Sequence, residues 1–243
     1  MIPKDHPRYK SLVTREHLAG CARTGVVSLE GLTSHGRGEA FDYLLGEETS
    51  VSALRAEKTA ASLLRIARHP VISVNGNTVA LAAREIALLQ KESGALVEVN
   101  LFHRTPERVR QIEALLRDAG AEVFAGEAER LLPLSHDRAW CRREGMYAAD
   151  VVLVPLEDGD RCEVLVGMGK KVIAIDLNPL SRTAKTATLT VVDEVTRALP
   201  RIAEACTALS EKECRDLTDT LDNRVFLEEA REEMARRLLH ALD

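Results

Sequence analysis

Short runs of apolar and β-branched residues recur through the middle of the chain, and helical patterns separate many of them. The runs contain few polar positions, which is typical of strands that are covered on both faces. Strands that alternate with helices over short connections predict a parallel sheet. The predicted strands are Val71–Val74, Leu96–Val99, Val151–Val154, Val172–Ile175 and Thr188–Val192, with a weaker strand at Ala121–Phe124.

Amphipathic periodicity predicts helices before, within and after this region. The clearest one has Thr105 as N-cap, Pro106 at the first helical position and Gly120 as its stop. The stretch Gly36–Gly46 is punctuated by glycine, and two glycines flank Arg37 just before a predicted helical turn. This is typical either of a loop whose backbone amides and arginine bind an anion or of a simple helix-entry loop. The predicted helices are Arg8–Arg23, Ser50–Arg68, Thr105–Ala119 and a C-terminal pair that begins with a capping box at Ser210–Glu213 and continues from Asn223.

These elements predict an α/β fold: a Rossmann-like parallel sheet with helices on both faces, an N-terminal helical region and a C-terminal helical extension. No repeat or linker-like tract interrupts the chain, so a single domain is predicted over residues 1–243. Within it, residues 1–69 form the N-terminal helical region, residues 70–208 the sheet with its helices, and residues 209–243 the extension.

Composition narrows the possible functions. The net charge is −5 and aromatic residues make up 3% of the chain, so neither a basic duplex-binding face nor a stacking platform for single-stranded nucleic acid is expected. The five cysteines form no C-x-x-C motif, which argues against a disulfide framework and a zinc site. No apolar run resembles a signal peptide or a membrane span, so a cytoplasmic protein is expected.

Polar residues follow nearly every predicted strand. Ligands of open parallel sheets bind beyond the carboxyl ends of the strands, so these side chains are expected to meet at one edge. The residues concerned are Asn75, Gly76 and Asn77; Asn100 and Arg104; Glu157, Asp158 and Asp160; Asp176, Leu177 and Asn178; Ser181, Arg182, Thr183 and Lys185; and Asp193.

Each group also has a plain structural explanation. The Asn-Gly-Asn sequence at residues 75–77 is more often a turn than a binding site. The acidic residues at 157–160 are either a Mg²⁺ site or a solvated turn. Asp176 is more specific, because an acid at the end of a buried parallel strand commonly binds a ribose hydroxyl. The chain has no G-x-G-x-x-G after a strand and no P-loop motif, so NAD binding is not expected.

Several of these segments, taken in order, resemble the archaeal-type phosphopantothenate synthetases, which are also called 4-phosphopantoate–β-alanine ligases. The likeness extends over roughly residues 3–208. The segments that carry it are His6–Tyr9, His35–Leu44, Ile72–Thr78, Val99–Phe102, Ala149–Arg161 and Ile173–Ala184.

The resemblance implies ATP-dependent condensation of 4-phosphopantoate with β-alanine to 4′-phosphopantothenate, with release of AMP and diphosphate, on the route to coenzyme A. It also implies a homodimer. Glu194 stands where the family usually has Asn. The ATP contacts that the resemblance implies are Arg15, Arg37, Asp176, Leu177, Asn178, Arg182, Thr183, Glu194 and Val195.

The residue types suit this chemistry. A carboxylate is a poor electrophile, and adenylation would give it a good leaving group. Cationic side chains would stabilise charge at the α-phosphate, and Arg37, Arg104, Arg182 and Lys185 are the candidates. Asp42 or Glu39 is the candidate acceptor of the β-alanine proton, and Asn75, Asn77 and Asn100 are candidate substrate contacts. Mg²⁺ is expected on the ATP phosphates, with few protein ligands.

Two other functions remain open at this point: a different nucleotide-dependent phosphotransferase of the α/β class, and a nucleotide sensor without catalysis. The assembly is also an expectation. The segment Ser50–Arg68 is apolar on more than one side, which predicts that a second subunit covers it.

Overall fold

The computed structural model describes residues 2–241 and contains one five-stranded sheet in which all strands run parallel. The strands are β1 (Pro70–Val74), β2 (Leu96–Val99), β5 (Val151–Pro155), β6 (Lys171–Ile175) and β7 (Leu189–Val191), in the order β2-β1-β5-β6-β7. All five predicted strong strands are therefore confirmed. The weaker one at 121–124 is wrong as a strand, because it forms only an isolated bridge between Val97 and Val123. A separate short antiparallel pair consists of β3 (Glu129–Arg130) and β4 (Trp140–Cys141).

The strand order reverses between β1 and β5. From β1 the chain continues outward to β2 on one side, whereas β5, β6 and β7 follow in sequence on the other side. The helices that follow β1 and β5 therefore leave in opposite directions, and this opens a crevice at the carboxyl ends of these two strands. The topology alone therefore predicts that a ligand binds at the carboxyl ends of β1 and β5.

Helices fill most of the remaining chain, and those predicted from periodicity are confirmed to within two residues. They are α1 (Tyr9–Arg23), α2 (Leu29–Leu45), α3 (Val51–Ile66), α4 (Gly76–Ser93), α5 (Pro106–Asp118), α6 (Gly159–Gly167), α7 (Arg182–Thr186), α8 (Val195–Ala208), α9 (Glu211–Asp219) and α10 (Asn223–Leu239). Within residues 2–241, no helix is long and apolar enough to cross a membrane.

The loop predicted at residues 36–46 is wrong, since most of that stretch belongs to the continuous helix α2. Ser28 caps the helix by accepting a hydrogen bond from the Gly31 amide at 3.1 Å, and Gly46 ends it with a φ of 86°. Gly36 and Gly38, in the middle of the helix, cost it about 1 kcal/mol each relative to alanine. Packing overrides this preference, because Leu45 is buried against Met234 of α10 and Leu177 of the sheet edge.

Both faces of the sheet are covered, as predicted. One face packs against α3, α4, α5 and α8 in the main apolar core. The other packs against α6 and the irregular segment 126–150, with Met146 and Leu165 fully buried there. The α/β fold class is thereby confirmed.

The predicted reason for a second subunit over α3 is wrong. Of the apolar residues on which the prediction rested, Ala60, Ala61, Leu63 and Leu64 are buried within the chain itself, and Val51 and Leu54 at the start of the helix stay exposed. The helices α8, α9 and α10 pack against it and cover the extra face. Periodicity showed that α3 has more than one apolar side, but the cover comes from the C-terminal part of the same chain.

Candidate functional site

A cavity of about 350 Å³ lies at the carboxyl edge of the sheet. It is bounded on one side by α2 and on the other by residues that follow every strand of the sheet. These residues are 75–77 after β1, 101–103 after β2, 156 and 158 after β5, 177 after β6 and 193–195 after β7. The polar strand ends share one edge, as predicted, but of the predicted polar residues Asn75, Asn77, Asp158 and Asp193 border this cavity and the others lie outside its lining.

The centre of this edge is tied together by Asn75. Its Oδ1 accepts from the Thr78 amide at 3.0 Å and so caps α4, and its Nδ2 donates to the Leu156 carbonyl at 2.9 Å. The side chain therefore connects β1 to β5 across the point where the strand order reverses. Leu156 has a φ of 55°, a conformation that costs a non-glycine residue energy and is found most often at functional sites. Residues 75–77 are the junction of strand and helix and line the cavity.

The other two asparagines also hold the edge together. Asn77 lines the cavity, and its Nδ2 donates to the Gly31 carbonyl at 2.7 Å, which fixes α2 against α4. Asn100 is buried outside the lining and donates to the Trp140 carbonyl at 2.8 Å. The amide groups predicted as substrate contacts therefore have structural partners, and Asn75 and Asn77 in addition border the cavity.

Arg138 is a cavity residue that the sequence analysis missed. Its side chain is only 6% exposed, and its Nε donates to Asp158 at 2.8 Å. Its Nη1 donates to the carbonyl oxygen of Asn100 at 2.9 Å. The guanidinium group is thus fixed by residues that follow both β2 and β5. It lies in the irregular segment 126–150, where neither periodicity nor a motif indicated a role.

The acidic residues at 157–160 are used mainly in ion pairs. Glu157, 1% exposed, pairs with the fully buried Arg161, and Asp160 lies 2.7 Å from His136 Nε2. Together with Asp158, these carboxylates form ion pairs with arginine and histidine side chains near the carboxyl end of β5. Within residues 2–241, no group of three or more potential metal-binding side chains is assembled. A solvated turn and a Mg²⁺ site were the two alternatives for residues 157–160. The structure shows a third arrangement, in which the carboxylates of these residues form ion pairs.

A second cavity of about 380 Å³ adjoins the first and lies between α1, α2 and the start of α8. The two share a wall that is mainly acidic. Its members are His35, Glu39, Asp42, Leu81 and Glu194. Arg15 donates to Glu39 at 2.8 Å, so the predicted ATP contact in α1 forms an ion pair at this wall. Burial lowers the pKa of His35, whose Nε2 is enclosed without a hydrogen-bond partner.

Asp42 belongs to a charge network that runs from the shared wall into the core. Arg197 contacts both Asp42 and Asp193, with Nη2 at 2.7 Å from an Asp193 oxygen. Behind Asp193 lies Glu57, 1% exposed, whose pKa is raised to about 9 by burial and by the neighbouring Asp193 charge. Glu57 is therefore protonated at neutral pH, although its carboxyl oxygens make no hydrogen bond within residues 2–241. Glu194 completes the wall as N-cap of α8, where it accepts from the Thr196 amide at 2.9 Å.

The turn after β6 brings together several predicted ATP contacts. Asp176 accepts from the Asn178 amide at 2.9 Å and from the Ser181 hydroxyl, and burial raises its pKa. Arg37, exposed on α2, acts electrostatically on Asp176 and makes no ion pair within residues 2–241. The segments around Arg37 and Asp176 are therefore close in space although 139 positions apart in sequence.

The remaining candidates differ in their surroundings. Arg182 and Lys185 are exposed on α7, and Arg182 lies against Gly159, where any larger side chain would collide with it. Thr183 is buried and donates to the Glu157 carbonyl at 2.9 Å, so its hydroxyl links α7 to the end of β5. Arg104 does not line the cavity, and burial and the neighbouring Arg142 lower its pKa.

Arg108 is the second cavity cation that the sequence analysis missed. It lies in the first turn of α5, and among residues 2–241 its guanidinium group donates only to backbone carbonyls. Nε donates to Gly25 at 2.8 Å and Nη2 to Val26 at 3.2 Å, while Nη1 donates to His103. Arg108 is outside the apolar stripe of α5, and nothing in the sequence indicates that its side chain contacts the carbonyls of residues 25 and 26.

Comparison with known proteins identifies relatives over the whole chain. Residues 52–237 match the family model described as phosphopantothenate/pantothenate synthetase. The chain is 63% identical to the 4-phosphopantoate–beta-alanine ligase of Methanospirillum hungatei over all of both chains. It is 51% identical to the protein of that name from Methanosarcina mazei, over 98% of this chain and 95% of the relative. Identity to the one from Thermococcus kodakarensis is 50%, over 84% of this chain and 79% of the relative.

Proposed function

The chain belongs to the phosphopantothenate/pantothenate synthetase family, and we infer from this that it is a ligase that condenses 4-phosphopantoate with β-alanine and uses ATP as co-substrate. The observation that carries this inference is the match to a ligase of that name over the full length of both chains. The cavity at the strand-order reversal supports it, because this is where α/β sheets of this topology bind ligands.

The proposed reaction has two steps. In the first, a carboxylate oxygen of 4-phosphopantoate attacks the α-phosphorus of ATP and diphosphate leaves, which gives an acyl adenylate. In the second, the amine nitrogen of β-alanine attacks the acyl carbon, and AMP leaves as the amide bond forms. Fixed positive charges stabilise both steps as negative charge moves onto phosphate oxygens.

The residues proposed to bind ATP lie around the ends of β6 and β7. In this proposal Asp176 accepts from the ribose, with Leu177 and Asn178 in the same turn. Arg37 and Arg182 neutralise phosphate charge from the exposed faces of α2 and α7. The other proposed contacts are Arg15, Thr183, Glu194 and Val195, with Lys185 and Arg104 as further stabilising cations.

The shared acidic wall is the proposed site of the β-alanine amine. An ammonium group is attracted to a surface that carries several carboxylates. Arg197 fixes the orientation of Asp42, and Arg15 that of Glu39, so either carboxylate is held in place to accept the ammonium proton. Mg²⁺ is proposed to arrive with ATP and to take most of its ligands from the phosphates and water, because the nearby carboxylates are paired with cations.

Stoichiometry of product release tests this function. We expect diphosphate and AMP to form in equal amounts, and only when ATP, 4-phosphopantoate and β-alanine are all present. Reactions that lack one substrate are the controls. Formation of ADP would indicate a phosphotransferase instead, and ATP binding without any turnover would indicate a nucleotide sensor.

We further propose that the protein is a cytoplasmic homodimer. The dimer is proposed from the family resemblance alone, because helices of the same chain pack against α3 and the helix no longer requires a second subunit. Two-fold pairing would give a particle of about twice the 26.7 kDa chain. Sedimentation at micromolar concentration checks this, and a monomer that still forms phosphopantothenate would contradict it. The cytoplasmic location is supported by five free cysteines, which are typical of reducing compartments.

A further inference from the structure

Arg108 carries a positive charge that no carboxylate neutralises. The side chain is partly buried at the cavity, and within residues 2–241 it forms no ion pair, because its three donor groups face the carbonyls of Gly25, Val26 and His103. The acid that acts on it electrostatically is Glu30, which is exposed and lies 3.9 Å from His103 Nε2. Charged groups removed from water are normally paired, so an unpaired guanidinium group in a cavity indicates that an anion binds there.

A second guanidinium group lies in the same cavity. Arg138 is close enough for its charge to lower the pKa of Arg108, although burial is the larger cause. Both guanidinium groups are held in place by hydrogen bonds to the backbone. Asp158 and Glu157 offset part of the Arg138 charge, whereas no ion pair within residues 2–241 offsets that of Arg108. An anion beside the two groups would pair with Arg108 and would meet donors that are already oriented, as in the strongest phosphate sites.

The position of this pair separates it from the proposed ATP contacts. Arg108 lies against the start of α4, where its Nη2 is 3.4 Å from the place that a Cβ on Gly76 would occupy. The pair thus borders the ends of β1, β2 and β5, whereas the proposed nucleotide residues follow β6 and β7. The pair therefore lies in the half of the edge that contains the strand-order reversal between β1 and β5, and the nucleotide half lies beside it at β6 and β7.

We propose that Arg108 and Arg138 together bind the phosphate group of 4-phosphopantoate and thereby select the phosphorylated acid over free pantoate. This assignment rests on the proposed function and adds a substrate contact to it. A phosphomonoester carries nearly two negative charges at neutral pH. Arg108 supplies an unpaired positive charge, and Arg138, whose own charge Asp158 and Glu157 offset in part, supplies further N–H donors. The carboxylate at the other end of the substrate would then point along the cavity toward the nucleotide half, where adenylation takes place.

The test is the effect of Arg108→Gln on each substrate separately. Loss of charged hydrogen bonds is expected to raise the KM for 4-phosphopantoate about 30-fold and to leave the KM for ATP within about threefold. The preference for 4-phosphopantoate over pantoate should fall by the same factor. Arg108→Lys keeps the charge and should restore part of the affinity. Arg110→Gln is the matched control, because Arg110 is exposed on the same helix and pairs with Glu107.

Each other result overturns the assignment. A raised KM for ATP alone would place a nucleotide phosphate between the two arginines, and unchanged values for every substrate would remove Arg108 from the site. If Arg108→Gln does not fold, inhibition of the wild-type protein by inorganic phosphate tests the assignment instead. The assignment requires that phosphate competes with 4-phosphopantoate and does not compete with ATP. Failure of the proposed function itself would be seen separately, as a wild-type protein that releases no diphosphate.

Discussion

Replacement of Arg37 by alanine is expected to lower kcat/KM for ligation about 100-fold and to leave the melting temperature unchanged within about 1 °C. Arg37 is exposed on α2, forms no ion pair within residues 2–241 and acts electrostatically on Asp176 at the proposed nucleotide turn. A side chain with no partner in the folded protein contributes little to stability. A fixed cation at developing phosphate charge contributes to catalysis at about the scale of one oxyanion-hole donor.

The control for this variant is Arg23→Ala. Arg23 is likewise an exposed arginine on an N-terminal helix, but it lies at the end of α1 and, unlike Arg37, is not among the charges that act on Asp176. Diphosphate release at several ATP concentrations and thermal melting are the two measurements. Near-normal turnover of Arg37→Ala would contradict the assigned role, and a parallel loss in Arg23→Ala would show that the effect is not specific to the site.

Replacement of Glu157 by alanine is expected to lower the free energy of unfolding by about 3–5 kcal/mol. Arg161 is fully buried and Arg138 nearly so, and Glu157 contacts both of them. The variant leaves the Arg161 guanidinium group in the core with the Ser73 hydroxyl as its remaining hydrogen-bond partner among residues 2–241. For a chain of this length the expected fall in melting temperature is about 6–20 °C, at about 2–4 °C for each kcal/mol.

Glu229→Ala is the matched control for this second prediction. Glu229 also pairs with an arginine, Arg55, but their side chains are 37% and 52% exposed, so water replaces the lost partner. Exposed pairs contribute at most about 1 kcal/mol. Chemical denaturation of both variants measures the difference. A Glu157→Ala protein within 1 kcal/mol of the wild type would show that water or a rearranged side chain neutralises Arg161.

Much of the edge at which the site lies could be predicted from the chain alone. Continuous apolar runs such as Val151–Val154 specify buried parallel strands, because burial on both faces leaves no polar position. Polar residues directly after such strands must then share one edge, which is why Asn75, Asp176 and Asp193 were recognised. Local caps were equally predictable: Thr105 and Ser210 begin helices where their side chains satisfy free backbone amides.

Packing decided what local patterns could not. The glycines at 36 and 38 favour a loop, yet α2 continues through them because Leu45 at its end is buried by α10, nearly 190 residues later in the chain. The apolar sides of α3 predicted a partner subunit, and the C-terminal helices of the same chain cover them instead. Both errors have one cause: the covering segments are distant in sequence, and periodicity reports that a face must be buried without reporting what buries it.

The sequence by itself determined the parallel sheet, the edge where its polar residues meet and, by resemblance, the family. The tertiary structure alone decided which charges face the cavity. Arg104 was a candidate because it follows a strand, but Arg108 and Arg138 line the cavity in its place. The direction of a long side chain depends on the partners that hold it, here carbonyls and carboxylates from distant loops. Those partners come together only in the folded chain.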